Sequence, residues 1–215
     1  MLFPTSEISL EEAKRLQLLL SKRVIREDRL PGSITHVAGV DVAYQGECSI
    51  GAVAVLDYAS MELIETKTSR QATRFPYRST FLSFRELPPI VSAMDKLRIQ
   101  PDVTLVDGHG VAHPRRLGLA SHLGLVLDAP TIGVAKNLLC GKVEDNGNDR
   151  WKPVIHKHET VGAAVFTRPN AKPVYVSIGH KVSLDTAREI VLHCAMKYRI
   201  PEPLRTAHMT SQSLT

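Results

Sequence analysis

Three acidic side chains stand in sequence contexts that predict burial. Asp41 interrupts the apolar run AGVDVAY, Asp107 interrupts TLVDGHG, and Glu86 lies in SFRELPP, near the start of a predicted helix that follows an aromatic loop. Because an unpaired buried carboxylate is destabilising, each acid needs an arginine, backbone amides or a divalent cation as its partner. If the strands of Asp41 and Asp107 are neighbours, their oxygens suit a hard cation such as Mg²⁺. A solvated strand end or a salt bridge is the alternative for any single acid, but the three together favour a metal site.

A segment rich in glycine, histidine and arginine follows Asp107. In DGHGVAHPRRLGLASHLG, two glycines let the backbone turn sharply, and His109, His113, Arg115 and Arg116 follow within ten residues of the acid. The forked donors of arginine and the amino end of the next helix favour phosphate binding, whereas each histidine could equally be a satisfied core or surface residue. The chain has neither a GxGxxG fingerprint nor a GxxxxGK[ST] phosphate loop, so we expect no nucleotide cofactor.

Two further features could contact an anionic substrate. Lys136 ends the apolar strand TIGVAKN, where its ammonium group either reaches water or points into an anionic site. In RFPYR, at residues 74–78, Tyr77 and a phenylalanine stand between two arginines. This composition is typical of a stacking platform for unpaired bases, although loop aromatics also cover core edges. A serine hydrolase is disfavoured, because there is no GxSxG elbow and Ser121 and His122 are adjacent.

Periodicity and turn residues predict the elements that position these side chains. Helices are predicted at residues 10–24, 116–127 and 183–198, and a helix at 82–99 is expected to be interrupted by Pro88 and Pro89. Strands are predicted at HVAGVDVA, GAVAVLDY, ELIETKT, DVTLVDG, TIGVAK, VGAAVF and PVYVSIG, the first three as antiparallel neighbours, and residues 141–149 are predicted as a loop. This order favours an α/β fold, a mixed β-sheet flanked by helices, in a single domain over residues 1–215.

The composition narrows the classes of function. The 215 residues are 43% hydrophobic, carry a net charge of +5 and contain no apolar run long enough to cross a membrane. The basic balance favours an anionic partner such as nucleic acid. Three widely spaced cysteines fit neither a disulfide framework nor paired zinc knuckles, which indicates a reducing compartment. We therefore expect a cytoplasmic protein with no membrane anchor and no secretory signal.

Together these motifs resemble the endonuclease V family, the deoxyinosine-directed repair nucleases. The resembling blocks run in family order from about residue 36 to 208 and are VAGVDVAY, FPYRSTFLSFRE, DVTLVDGHGVAHPRRLGLASHLG, PTIGVAKNLLCG, PVYVSIGHKVS and IPEPLRTAH. The block that begins at Asp107 is long enough to be highly specific. The resemblance implies an RNase H-like fold and Mg²⁺-dependent hydrolysis of the second phosphodiester bond on the 3′ side of the deaminated base.

The resemblance also implies roles for individual residues. Asp41 and Asp107 correspond to the metal-binding acids, and the further active-site positions correspond to Glu86, Lys136 and His208. On the substrate side, Tyr77 corresponds to the tyrosine of the family's PYIP wedge and His113 to the histidine of its AHPR block, beside the predicted phosphate-binding residues Arg115 and Arg116. The wedge departs from the family pattern, because PYIP has become PYRS at residues 76–79, and SPGH has become SIGH at residues 177–180. Loss of the second wedge proline predicts a looser loop, and Arg78 adds a charge.

The expected cofactor is Mg²⁺, for which Mn²⁺ can substitute, and the expected partner is DNA containing deoxyinosine, with inosine-containing RNA as a second candidate. Two alternatives stay open. Another RNase H-like nuclease, such as a branched-DNA resolvase, would use similar acids without the Tyr77 loop, and a non-catalytic nucleic-acid-binding protein would yield no Mg²⁺-dependent product. Deleting the chain from Ala207 onward is predicted to lower the rate strongly, and deleting residues 211–215 to matter little.

Overall fold

The computed structural model describes residues 8–214, so residues 1–7 and 215 of the predicted domain lie outside the described part. Its helices are α1 (Leu10–Ser21), α2 (Leu82–Met94), α3 (Leu119–Leu127), α4 (Leu184–Cys194) and α5 (Glu202–Gln212). Its strands are β1 (His36–Gln45), β2 (Cys48–Asp57), β3 (Leu63–Ala72), β4 (Val103–Asp107), β5 (Thr131–Ala135), β6 (Lys142–Val143), β7 (Trp151–His156), β8 (Glu159–Val165) and β9 (Val174–His180). Among residues 8–214, no helix is both long and apolar enough to cross a membrane.

All nine described strands belong to one sheet, in the order β3-β2-β1-β4-β5-β9-β8-β7-β6. The first three form the predicted antiparallel neighbours, β4 and β5 run parallel to β1, and the remaining pairs are antiparallel. The predicted mixed α/β sheet flanked by helices is therefore confirmed. Val40 of β1 pairs with Val106 of β4, which places Asp41 and Asp107, one residue further along, at the same end of neighbouring parallel strands.

Helices cover both faces of this sheet. Val37 packs in an apolar cluster with residues of α4 and α5, whereas Val40 packs on the other face with residues of α2 and α3. Alternate strand residues point to opposite faces, so Gly39 and Asp41 share the α5 face with Val37. Gly39 is required there, because a Cβ atom at this position would lie 2.1 Å from the carbonyl oxygen of Pro203 at the start of α5.

Helix α2 corrects the prediction that Pro88 and Pro89 interrupt it. The helix runs unbroken from Leu82 to Met94, although neither proline can donate a backbone hydrogen bond. Its Leu87 and Ile90 are fully buried against the sheet, and its backbone approaches Gly51 of β2 so closely that a Cβ there would lie 2.4 Å from Pro89. Burial of this face outweighs the local proline signal.

Other element boundaries differ from the sequence-based prediction. Helix α1 ends at Ser21 rather than at residue 24, and α4 ends at Cys194 rather than near residue 198. Helix α3 begins at Leu119 rather than at Arg116, because Arg116 has a φ of +58° and Gly118 is the extended N-cap. The predicted loop at 141–149 contains β6, and neither β7 nor α5 was predicted.

Candidate active site

The parallel strands β1 and β4 bring Asp41 and Asp107 to one edge, where each carboxylate has a cationic or polar partner. Lys136, the residue after β5, contacts Asp107 with a distance of 2.5 Å between Nζ and Oδ2. His208 of α5 contacts Asp41 with a distance of 3.0 Å between Nδ1 and Oδ2. The structure thus brings together these four predicted site residues, which are far apart in sequence.

Glu86 approaches the same place from the other face of the sheet. Its side chain is 8% exposed, and the Tyr44 hydroxyl donates to its Oε1 over 2.9 Å. The pKa of Glu86 is raised to about 8, mainly by burial and also by the nearby charges of Asp41 and Asp107, against the hydrogen bond from Tyr44. Burial also raises the pKa of Asp107, although Lys136 opposes this shift. The three acids therefore form a cluster that disfavours three simultaneous negative charges.

This cluster has the chemistry of a divalent cation site. Its donors are carboxylate oxygens, which Mg²⁺ prefers, and a cation between them would relieve the repulsion that raises the Glu86 pKa. Among residues 8–214, no three His, Cys, Asp or Glu side chains already converge in the arrangement of a metal site. Here Lys136 and His208 contact one oxygen each of Asp107 and Asp41. The acids fit a hard cation by donor type and by charge.

Helix α5 contributes a second contact to Asp41 that sequence reasoning missed. Ser211 is fully buried, and its Oγ donates to Oδ2 of Asp41 over 2.8 Å, the same oxygen that His208 contacts. The expectation that deleting residues 211–215 matters little is therefore replaced by the opposite expectation. The sequence held one usable signal, since the Pro-Glu-Pro before Leu204 is typical of a helix start.

A cavity of about 120 Å³ is lined by residues of the Tyr77 loop and of the segment after Asp107. Tyr77 and Thr80 line it from the loop, and Gly108 and His109 line it from the segment that directly follows Asp107. The Tyr77 side chain is 72% exposed, so the loop presents its ring to solvent rather than to the core. Burial lowers the pKa of His109 to about 4, which keeps that imidazole neutral.

The histidine and arginines of the AHPR block contact protein groups. His113 is buried, its Nε2 lies 2.9 Å from the Thr80 carbonyl oxygen, and burial lowers its pKa to about 4. Arg115 donates from Nε to Gln17 over 2.6 Å and from Nη2 to Thr80. All three guanidinium nitrogens of Arg116 bind protein acceptors or ring nitrogens. The contacts of Arg115 thus brace the Tyr77 loop, and a phosphate contact by Arg116 would require exchange of some of its present partners.

Two other residues near the acids carried no sequence signal. Tyr44 lies on the α2 face of β1. The Arg85 guanidinium stacks 4.4 Å from the centre of the Tyr44 ring, and the Tyr44 hydroxyl donates a hydrogen bond to Glu86. Arg199 donates from Nη2 to the carbonyl oxygens of Lys136 over 3.0 Å and Pro173 over 2.7 Å. Both residues position members of the site, and both depend on tertiary contacts between distant segments.

Comparison with known proteins identifies the family. The family profile described as Endonuclease V matches residues 19–209. An endonuclease V of Rippkaea orientalis is 51% identical over 205 residues, which cover 93% of this chain and 88% of that protein. The crystal structure of the endonuclease V from Streptomyces avermitilis has a TM-score of 0.92 at 41% identity and covers 99% of this chain and 96% of that one.

A further solved structure contains nucleic acid. It is the Ciona intestinalis endonuclease V in complex with a 24mer DNA containing an inosine followed by a ribo-adenosine, with a TM-score of 0.87 at 33% identity over 95% of this chain and 97% of that one. The relatives and solved structures thus agree with the family that the motifs resemble. This chain belongs to the endonuclease V family of hydrolytic nucleases.

Proposed function

We propose that this protein is a Mg²⁺-dependent endonuclease of DNA repair that recognises deoxyinosine and hydrolyses the second phosphodiester bond on its 3′ side. Inosine in RNA is the second candidate substrate. The observation that carries the proposal is the convergence of the three acids with Lys136 and His208, together with the cavity that Tyr77 lines with Gly108 and His109, the two residues after Asp107. The inosine-containing DNA bound by the Ciona relative supports the choice of base.

The acids and their neighbours would have different roles in the hydrolysis. Asp41 and Asp107 would hold Mg²⁺, and Glu86 completes the set of carboxylates. When bound, Mg²⁺ supplies Lewis acidity, which lowers the pKa of the attacking water and stabilises the leaving 3′ oxygen. Lys136 carries the positive charge that offsets negative charge developing on the phosphate. His208 orients Asp41 through the contact at Oδ2.

Recognition is assigned to the Tyr77 loop and the cavity behind it. The exposed Tyr77 ring would fill the gap that the displaced base leaves in the duplex, and the base would enter the cavity beside Gly108. Displacement is less costly for a weakly paired base, which favours inosine over a normally paired base. His113 and Arg115 belong to this side of the site through their contacts with Thr80, and Arg116 through its contact with the backbone of His113.

The wider assignments follow from the same observations. We treat residues 1–215 as one catalytic domain, because all described strands belong to a single sheet. We place the protein in the cytoplasm, because Cys48, Cys140 and Cys194 are free thiols, which suits a reducing compartment.

Mapped cleavage of defined oligonucleotides tests this function. The substrates are an end-labelled duplex with one deoxyinosine, the same duplex with deoxyadenosine, an inosine-containing RNA and a four-way DNA junction, each with Mg²⁺, Mn²⁺ or a chelator. We expect one cut at the second bond 3′ to inosine, and no cut with the chelator. Preferential cleavage of the junction would favour a resolvase, and binding without any metal-dependent product would favour a non-catalytic protein.

A further inference from the structure

The Tyr77 loop, residues 73–81 between β3 and α2, contains a residue with a strained backbone near its end. Thr80 has a φ of +69°, a region that β-branched residues rarely adopt because their Cβ substituents crowd the backbone. Such a conformation persists only where surrounding contacts hold it. Thr80 lies three residues after Tyr77 and lines the same cavity, so the contacts that hold Thr80 also act on the loop that carries Tyr77.

Three donors from outside the loop converge on the carbonyl oxygen of Thr80. Gln17 Nε2 lies 2.9 Å away, His113 Nε2 lies 2.9 Å away and Arg115 Nη2 lies 3.0 Å away. The same Arg115 nitrogen also donates to the Thr80 hydroxyl over 2.6 Å. A carbonyl oxygen has two lone pairs, so three donors exceed its usual number of partners.

Gln17 links the members of this arrangement. It is 1% exposed, although it belongs to α1, most of whose residues are exposed to solvent. Its Oε1 accepts from Arg115 Nε over 2.6 Å, and its Nε2 also contacts the Leu117 carbonyl oxygen at 3.3 Å. One amide side chain thus connects Thr80 and Leu117, both of which line the cavity, and fixes the arginine that also holds Thr80.

We propose that Gln17 is a positioning residue for lesion recognition, which together with His113 and Arg115 clamps the Thr80 carbonyl and so preorganises the Tyr77 loop. The inference rests on the proposed function for its substrate. Holding the loop in its strained conformation before DNA arrives removes an ordering cost from binding, which strengthens affinity without a new contact to DNA. The wedge of this protein lacks the second proline of the family pattern, so the clamp supplies rigidity from outside the loop.

The variant Gln17→Glu tests the clamp. It keeps an oxygen that can accept from Arg115 and replaces the Nε2 donor by an oxygen that repels the Thr80 carbonyl. We expect about 3- to 10-fold weaker binding to inosine duplex, the size of one lost hydrogen bond, with an unchanged single-turnover rate at saturating enzyme. Single-stranded inosine DNA should be bound nearly as well as by the wild type. In a Tyr77→Ala background, Gln17→Glu should have no further effect on duplex binding.

A second measurement does not depend on nuclease activity. Arg78 is exposed within the loop, and Arg150 is exposed in a distant loop, so limited trypsin digestion reports loop opening at the first and provides a reference at the second. Gln17→Glu should accelerate cleavage after Arg78 by about 3- to 10-fold, since the lost hydrogen bond shifts the opening equilibrium by that factor, and leave cleavage after Arg150 unchanged. Gln17→Met, of similar length but without the amide, should act in the same direction and serves if the glutamate variant does not fold.

The matched control is Leu20→Ala on the same helix. Leu20 packs on Leu117 and Leu125, so this change loosens α1 without removing a hydrogen bond to Thr80. The clamp would be overturned if Leu20→Ala and Gln17→Glu had equal effects at an equal loss of melting temperature. It would also be overturned if folded Gln17→Glu and Gln17→Met behaved like the wild type in the trypsin assay. Failure of the wild type to prefer inosine DNA would instead refute the proposed function, and the trypsin result would still decide whether the clamp holds the loop.

Discussion

The buried imidazole of His113 predicts that the free energy of unfolding falls at acidic pH, and one substitution can isolate this contribution. His113 is 2% exposed, and burial lowers its pKa to about 4 in the folded protein from an ordinary value of 6.5. The unfolded chain therefore takes up a proton as the pH falls below 6.5, whereas the folded protein does so only near pH 4. Stability from this group is fully present above pH 6.5 and is lost as the pH falls towards 4.

The size of the effect follows from these two pKa values. Their difference corresponds to about 3 kcal/mol in the free energy of unfolding once the pH lies below both. At pH 5.5 the loss is about 1.4 kcal/mol, and at pH 4.5 it is about 2.5 kcal/mol. Other groups also titrate in this range, so the wild type alone does not isolate His113. The variant His113→Gln does, because glutamine has no proton to gain here.

Urea denaturation between pH 7.5 and 4.5, followed by circular dichroism, measures the effect. Wild type should be the more stable protein at pH 7.5, because His113 packs in the interior and contacts Thr80. Its advantage over His113→Gln should shrink by about 2.5 kcal/mol at pH 4.5. The variant His158→Gln removes an exposed imidazole and provides the baseline. The reasoning would be refuted if the difference in the free energy of unfolding between wild type and His113→Gln changed by less than about 0.5 kcal/mol over the whole pH range.

Substitutions at Asp107, Ser211 and Tyr77 test the site itself. Asp107→Asn should abolish Mg²⁺-dependent cleavage while circular dichroism shows an intact fold, and undiminished turnover at saturating Mg²⁺ would contradict its assignment as a metal ligand. Ser211→Ala removes a hydrogen bond to the Asp41 carboxyl group, so half-maximal activity should need about 10-fold more Mg²⁺, whereas the control Ser213→Ala, at the C-cap of the same helix, should not differ from wild type. Tyr77→Ala should weaken binding to inosine duplex by about 5- to 150-fold and affect single strands less, while Tyr77→Phe keeps the ring and most activity; equal small losses on both substrates would make Tyr77 a loop-packing residue.

Local sequence patterns were sufficient for the described strands other than β6 and β7 and for the position of the acids on them. β-Branched runs marked β1, β2, β4, β5, β8 and β9, and the lone aspartates within two of these runs identified the edge where the site lies. A shared cation site requires that the strands of Asp41 and Asp107 are neighbours, which the sequence alone does not establish. The parallel pairing of β1 with β4 meets this requirement.

The features that were missed depend on contacts between distant segments. Helix α5 buries only Pro203, Leu204, Ala207 and Ser211, which is too sparse an apolar pattern to predict a helix. The continuous α2 depends on burial against β2, which local proline statistics do not include. The protein partners of Arg115 and Arg116 come from α1, the Tyr77 loop and the β7–β8 region, which their proximity in sequence to Asp107 does not indicate; their contact with phosphate stays a prediction.

The contact between His208 and Asp41 joins the first strand of the sheet to the last described helix, across 167 positions of sequence. Because closing a loop of this span has an entropic cost, we expect this contact to form late in folding. A partly folded molecule with β1 to β5 in place would therefore have Asp41, Asp107 and Lys136 but neither α5 contact to Asp41. Phosphodiester-cleaving competence should consequently appear in refolding experiments together with the slowest structural phase, so that incompletely folded molecules present little nuclease activity to intact DNA.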